Sequence, residues 1–101
     1  MTLSYHATGS VIYSEYGDQQ PVNSDSASLA RAAKEVSGYG LEGSGGVDGA
    51  GYKDWVIDAL EIPSLTIEVG CQEAALAERE IYSIFARNYR VLPAIARWLQ
   101  Q

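Results

Sequence analysis

The chain has 101 residues, of which 47% are hydrophobic and 20% are charged, and its formal net charge at pH 7 is -6. This composition is typical of a single soluble globular domain near the lower size limit for a self-sufficient core, and it excludes disorder of the whole chain. Binding to a nucleic-acid backbone needs clustered Lys and Arg that replace counterions. An acidic chain of this kind therefore excludes a nucleic-acid partner.

The sequence also argues against a membrane partner and a disulfide framework. No apolar run approaches the roughly 18 residues that span a bilayer, and the first three residues do not form the charged region of a signal peptide. Cys71 is the single cysteine. It has no thiol partner for an internal disulfide or for a cysteine-based zinc site.

Two short strands are predicted at the beginning of the chain. Residues 3–6 look like the end of a strand with almost nothing before it, so we expect that upstream sequence is missing. Val11, Ile12 and Tyr13 have the branched and aromatic composition of a second strand. This strand is predicted to close at residues 16–18, and residues 19–23, which include Pro21, are predicted to form a loop.

A helix is predicted after this loop. Ser24 or Asp25 can cap its beginning, and Gly38 can end it in a left-handed conformation. Apolar residues at offsets of three and four form one stripe along it. These residues are Leu29, Ala32, Ala33 and Val36.

Glycine dominates residues 38–51, which hold seven of the ten glycines in the chain. We therefore predict a mobile surface loop, and such loops often cover functional sites. The segment "GYGLEG" matches the dinucleotide fingerprint G-x-G-x-x-G in form. That fingerprint requires a strand before it and a helix after it, whereas here a helix precedes it and more glycine follows.

The middle of the chain predicts a helix followed by a core strand. In "GYKDWVIDALEI" the apolar residues recur at helical spacing, which predicts a helix with its Trp55 side facing inward and an end at Pro63. In the strand that follows, Leu65, Ile67 and Val69 share one face. Thr66 and Glu68 share the other face, and Gly70 ends the strand.

The last third predicts a long helix from about Glu78, bent or divided near Pro93. Its apolar residues are Ile81, Ile84, Phe85, Leu92, Ile95, Ala96 and Leu99. Five arginines on predicted helices are expected to be solvated, namely Arg31, Arg79, Arg87, Arg90 and Arg97. Strands that alternate with helices predict an α/β fold with a mixed sheet, flanking helices and ligands at the carboxyl ends of strands.

Glu68 is the first candidate functional residue. A carboxylate at the carboxyl end of a core strand is partly desolvated, which suits a general base. Alternatively, Glu68 only caps the end of the sheet in water. Glu68 is therefore a candidate that needs further residues in support.

Three separated segments resemble the second half of the zinc metallocarboxypeptidase family. They are "YHATGSVIYSEYG", "GYKDW" and "IPSLTIEVG", they occur in the same order as in that family, and the likeness covers nearly the whole chain from His6. The resemblance is closest to the bacterial branch that cleaves γ-D-glutamyl-diaminopimelate bonds in peptidoglycan peptides. It implies a peptide substrate, a zinc cofactor in the complete domain and a carboxypeptidase-like fold.

The resemblance also implies roles for two residues. His6, the only histidine, matches the later zinc-binding histidine of the family, although a lone histidine is more often a structural or surface residue. Glu68 matches the catalytic glutamate, which takes a proton from the zinc-bound water and passes it to the departing amine. The family's other ligands come from an earlier His-x-x-Glu pair.

Substrate-binding roles follow from the same resemblance. Lys53 falls at the floor of the specificity pocket, where a cation suits the second carboxylate of diaminopimelate; the alternative is an exposed helix surface. Tyr39 and Tyr52 lie in or beside the glycine-rich loop and are candidates for substrate contact. The family's mobile substrate-binding tyrosine corresponds to Gly46, so that role is not carried over. Asp54 either braces the loop or only favours the helix N-terminus through the helix dipole, and the second is the default expectation.

The sequence departs from the family in lacking a His-x-x-Glu pair and the upstream arginines that bind the substrate carboxylate. A catalytic zinc site needs three protein ligands and an open position. We therefore predict that residues 1–101 form the carboxyl-terminal part of a single metallopeptidase domain whose N-terminal half is absent. This part is expected to be inactive alone. The alternative is a free-standing, non-catalytic α/β module that binds a peptide or cell-wall stem through the glycine loop and Lys53.

Overall fold

The computed structural model describes residues 1–14, 24–42, 51–71 and 75–101. The predicted α/β class is confirmed. The strands are β1 (Thr2–Ala7), β2 (Val11–Tyr13), β3 (Gly40–Glu42) and β4 (Ser64–Val69), and the helices are α1 (Ser24–Ser37), α2 (Tyr52–Leu60), α3 (Ile81–Asn88) and α4 (Val91–Leu99), with a short 3-10 helix at Glu78–Glu80. Within these ranges, none of the helices is long and apolar enough to cross a bilayer.

The strands form one mixed sheet of four strands in the order β1-β4-β2-β3. β4 pairs in parallel with β1 and antiparallel with β2, while β3 pairs in parallel with β2. The prediction that β4 is a central strand is confirmed. β1 and β4 are the first and last described strands, and the long segment between them supplies the connection that a parallel pair needs.

The main core lies between one face of the sheet and helices α1 and α4. Leu65 and Ile67 of β4 have no exposed surface, and Ile12 of β2 has none either. Helices α1 and α4 cover them with further buried side chains. The cluster is completed by Leu29, Ala30, Ala33, Tyr39, Val91 and Ile95.

Helix α1 follows its predicted pattern closely. It ends at Ser37, and Gly38 has a φ of +75° and donates its N–H to the Lys34 carbonyl at 2.8 Å, as expected for a left-handed cap. Leu29 and Ala33 are buried as predicted, but Ala30 is buried more deeply than Ala32. The buried face of α1 is therefore rotated by part of a turn from the predicted apolar stripe.

Helix α2 packs against β1 and β4, and its predicted inward side is wrong. Trp55 is 55% exposed, whereas Lys53, Val56 and Ile57 are buried. These three residues lie at offsets of three and four on one face, and Trp55 lies on the opposite face. Val56 and Ile57 do not belong to the main core cluster, so α2 covers the second face of the sheet.

The prediction of a loop over residues 38–51 is wrong for its first part. Gly40–Glu42 forms β3, which pairs with β2, because a short edge strand needs only backbone groups and tolerates glycine. Residues 43–50, which include Gly46, lie outside the described ranges. The predicted loop at residues 19–23 lies outside them as well.

The C-terminal helix is divided near Pro93, as predicted. Helix α3 ends at Asn88 and α4 begins at Val91, which places Pro93 in the first turn of α4. A proline there has no N–H to donate to the Tyr89 carbonyl, and the first turn of a helix tolerates this loss. The predicted apolar stripe is only partly covered: Ile95 is buried, whereas Phe85 and Leu92 are 65% and 61% exposed.

Candidate functional site

His6 and Glu68 meet at one end of the sheet. They are register partners on the parallel strands β1 and β4, and both stand next to the carboxyl ends of their strands. Register partners in parallel strands point to the same face, and neighbouring strands lie about 4.8 Å apart. The pair therefore shares the face that α2 covers in part.

A row of polar pairs leads along this face towards His6 and Glu68. Thr2 Oγ1 lies 2.6 Å from Ser64 Oγ, and Ser4 Oγ lies 3.0 Å from Thr66 Oγ1. Each of these pairs spans β1 and β4 at consecutive positions of one face. The hydroxyl pairs fix the register of the two strands, so they hold the imidazole and the carboxylate side by side.

The two side chains differ in their surroundings. His6 is exposed, whereas Glu68 is half-buried. The register partner of Glu68 on β2 is Val11, which is 8% exposed. Glu68 thus has a strand on each side and is not fully solvated. In the alternative interpretation Glu68 caps the sheet in open water, whereas the observed side chain is half-buried.

The connection after β1 ties the ends of the two strands together. The Ala7–Thr8 peptide bond is cis, and Gly9 has a φ of 148°. Gly9 N–H donates to the Gly70 carbonyl at 3.0 Å, and Ser10 Oγ donates to the same carbonyl at 2.9 Å. Thr8 Oγ1 is buried and has no hydrogen-bond partner among the described residues.

Lys53 lies on the buried face of α2 and is 7% exposed. The alternative in which it decorates an exposed helix surface is therefore wrong. Its Nζ lies 2.5 Å from Asp54 Oδ1, so the cation is held beside a carboxylate. Asp54 Oδ2 also accepts a hydrogen bond from Gly51 N–H at 3.2 Å, which means that Asp54 braces the beginning of the helix in addition to favouring its dipole.

The two candidate tyrosines lie in different environments. Tyr52 is 53% exposed at the beginning of α2, with its ring centroid 6.3 Å from that of Trp55. Tyr39 is 1% exposed, so the expected surface position of Tyr39 is wrong. A bulky aromatic ring between a helix cap and a strand is driven into the core by its large apolar area.

Two residues of α3 hold the Tyr39 ring in place. Asn88 Nδ2 donates to Tyr39 Oη at 2.9 Å, and the Arg87 guanidinium lies 5.7 Å from the centroid of the ring. Arg87 also donates to the Ser37 carbonyl at 3.2 Å. Arg87 is exposed, as predicted, and makes these two contacts in addition.

The described residues do not by themselves form a complete zinc site. No group of three or more His, Cys, Asp or Glu side chains in these ranges is placed to hold a metal ion. His6 can supply one imidazole donor, and a catalytic zinc site needs three protein ligands. A zinc ion at this position therefore requires donors from a part of the protein outside the described residues.

A cavity of about 150 Å³ was not expected from the sequence. It lies beside the end of β4, and its lining comes from segments that are far apart in sequence. The polar side chains that line it include Ser10, Cys71, Glu80, Ser83 and Arg87. No local motif joins these residues, so the sequence carries no signal for the cavity.

Comparisons with known proteins add no family assignment. The chain matches no model of a protein family, and no curated protein shows significant similarity to it. The functional argument therefore depends on the geometry at His6, Glu68 and Lys53.

Proposed function

We propose that the chain is the C-terminal portion of a zinc-dependent peptidase of the metallocarboxypeptidase type, acting on peptidoglycan-derived γ-D-glutamyl-diaminopimelate peptides. The observation that carries the proposal is the register pairing of His6 with Glu68 on one face of the sheet. Two residues that lie far apart in the sequence, each matching a functional position of that family, are neighbours in space.

In this proposal Glu68 is the general base. A half-buried carboxylate beside an open face accepts a proton from the attacking water and returns it to the departing amine. His6 is one zinc donor, and the remaining donors come from the N-terminal half of the domain. Zinc, when bound in the complete domain, polarises the substrate carbonyl and activates the water.

Lys53 is proposed to recognise the second carboxylate of diaminopimelate. Its position on α2, which packs against β1 and β4, places it on the same face of the sheet as His6 and Glu68. A substrate carboxylate at Lys53 competes with Asp54 for the ammonium group. Tyr52, exposed one residue earlier, is a candidate for contact with the rest of the peptide.

The proposal is tested by a peptidase assay of the complete protein with γ-D-glutamyl-diaminopimelate peptides. Glu68→Gln keeps the size of the side chain and removes the base, so we expect cleavage to fall by about 10²–10⁴-fold. Asp58→Asn, an exposed position on α2, is the matched control and keeps full activity. Binding of the peptide without any cleavage by the wild-type protein contradicts the proposal and favours a non-catalytic binding module.

A further inference from the structure

The cavity of about 150 Å³ beside the end of β4 lies between three strand ends and one face of α3. On the sheet side, Ser10 precedes β2, Tyr39 precedes β3 and Gly70 follows β4. The lining residues of the helix side recur at intervals of three and four, so they share one face. They are Glu80, Ser83, Ile84 and Arg87.

The sheet side of the cavity is held in place by hydrogen bonds to Ser10. Ser10 Oγ donates to the Gly70 carbonyl at 2.9 Å, and the Ser10 carbonyl accepts from Gly40 N–H at 3.0 Å. Ser10 has a φ of 53°, a conformation that residues other than glycine adopt uncommonly. These contacts fix the three strand ends relative to one another, so the cavity is preformed.

Arg87 places a cation at one end of the helix wall. Its Nη1 donates to the Ser37 carbonyl at 3.2 Å, and its guanidinium lies 5.7 Å from the centroid of the Tyr39 ring. Among the described residues Arg87 forms no ion pair. A guanidinium held in this way keeps further N–H groups for a ligand, and it binds a carboxylate through two parallel hydrogen bonds.

Glu80 and Ser83 place hydrogen-bond acceptors at the other end of this wall. The half-buried Glu80 carboxylate accepts from Ala77 N–H through Oε2 at 3.0 Å. Ser83 Oγ donates its only hydrogen to the Glu80 carbonyl at 3.1 Å, so this oxygen can only accept a further hydrogen bond. A ligand group at this end therefore has to donate hydrogen bonds, and a cation suits the carboxylate.

The size of the cavity limits the ligand. An apolar cavity of about 150 Å³ holds benzene, which has six non-hydrogen atoms. Glu80 and Arg87 are two turns apart, a rise of about 10 Å, and helical side chains lean back towards the N-terminus, which brings the guanidinium closer to Glu80. A ligand with a single charge is attracted by one end of the wall and repelled by the other.

We propose that this cavity binds a small amino acid, a zwitterion of about six to eight non-hydrogen atoms. Its carboxylate binds Arg87, and its ammonium group binds Glu80 and Ser83. The inference does not rest on the proposed function, because neither His6 nor Glu68 is among the described residues that line the cavity.

Titration of the complete protein, followed through the NMR signals of the Ser10 and Ser83 amides, tests the charge requirement. The probes are L-alanine, β-alanine and γ-aminobutyrate, with butyrate and butylamine as ligands of one charge. The tightest of the three amino acids is expected to bind at least about tenfold more tightly than butyrate or butylamine. Equal affinity for butyrate or butylamine overturns the proposal, and so does the absence of a saturable shift with all three amino acids.

Two substitutions assign the two ends of the ligand. Glu80→Gln keeps an oxygen for Ala77 N–H, and it is expected to weaken the tightest amino acid at least about tenfold while butyrate binds no more weakly than before. Arg87→Gln is expected to weaken the same amino acid to a similar extent without weakening butylamine. A Glu80→Gln protein that keeps its preference for the amino acid over butyrate overturns the proposal, whether or not Arg87→Gln folds.

Glu78→Gln and Arg79→Gln are the matched controls. They make the same changes of charge at exposed positions that do not line the cavity. Both are expected to change the affinity for the amino acid by less than about twofold, because exposed charges are screened by solvent and salt. An equal loss of affinity in the controls and in the cavity variants overturns the proposal, since net charge rather than the cavity then determines binding.

Discussion

His6 and Glu68 are register partners on adjacent parallel strands, although they lie far apart in the sequence. The pairing is held by the hydroxyl pairs before it and by the hydrogen bonds of Gly9 and Ser10 to Gly70 after it. A candidate base and a candidate metal ligand are thus fixed on the backbone of a core sheet. This is more rigid than a site carried by loops.

Removing the buried cation is expected to destabilise α2. Lys53→Met keeps most of the apolar volume but leaves Asp54, whose side chain is 13% exposed, without its cation. We predict that the free energy of unfolding falls by about 1–3 kcal/mol, measured by chemical denaturation. Lys34→Met, at an exposed position, is the control. Adding Asp54→Asn to Lys53→Met is expected to recover part of the loss, and an unchanged stability of Lys53→Met would contradict the role of the pair.

The hydroxyl group of Tyr39 is expected to contribute to stability through Asn88. Tyr39→Phe removes the acceptor at 2.9 Å but keeps the ring, and Asn88 Nδ2 still donates to the Ile84 carbonyl at 2.8 Å. The expected loss is about 1 kcal/mol, measured as a shift of the denaturation midpoint. Tyr82→Phe, at a side chain that is 79% exposed, should change stability by less than about 0.5 kcal/mol. Equal effects of the two substitutions would show that the Tyr39–Asn88 contact contributes nothing.

A side chain at Gly70 is expected to disturb the junction of β1 and β4. Gly70 has a φ of +80°, and a Cβ there would lie 2.6 Å from Leu76 Cδ1. Gly70→Ala should therefore cost about 1–3 kcal/mol in the free energy of unfolding. Gly40→Ala is the matched control, since its Cβ would meet only the Ser10 carbonyl oxygen, at 3.9 Å. A thermal unfolding series compares them, and a loss at Gly40 as large as at Gly70 would refute the close approach.

Tyr5 is expected to make stability depend on alkaline pH. Burial, followed by the nearby Tyr39 phenol, raises the pKa of Tyr5 above 10.0. The folded state therefore favours the neutral phenol: this contribution is fully present below about pH 10 and is lost as the pH rises through the pKa in the folded state. Denaturation at a series of alkaline pH values should show a smaller decline for Tyr5→Phe than for wild type. Tyr82→Phe should keep the wild-type decline, and identical curves for all three proteins would exclude the effect.

A strand could be predicted where one of its faces is buried, because its residues then alternate between apolar and polar. In β4 the alternation of Leu65 and Ile67 with Thr66 and Glu68 reflects a core face and a more polar face, and both faces are observed. The face of α2 was not predictable in the same way. Trp55 is the largest apolar side chain of that helix, yet it is exposed. Lys53 lies on the buried face instead, together with Val56 and Ile57, because its ion pair with Asp54 offsets the cost of burying the ammonium group.

Features that depend on contacts between residues far apart in sequence could not be predicted from the local sequence pattern. β3 consists of Gly, Leu and Glu, and only its pairing with β2 makes it a strand. Tyr39 likewise contacts residues far away in sequence, Asn88 and Arg87 of α3, which hold its buried ring. For the candidate site, residue types at His6 and Glu68 were visible in the sequence, but their shared register is a property of the sheet.

Zinc content and activity of the complete protein, measured together for His6→Ala and Glu68→Gln, test the central claim most directly. The account predicts that His6→Ala lowers zinc affinity at least about tenfold and abolishes cleavage. It predicts that Glu68→Gln retains the wild-type zinc content and loses cleavage. A His6→Ala protein that binds zinc and cleaves peptide as the wild type does would contradict the claim that these two side chains serve one site.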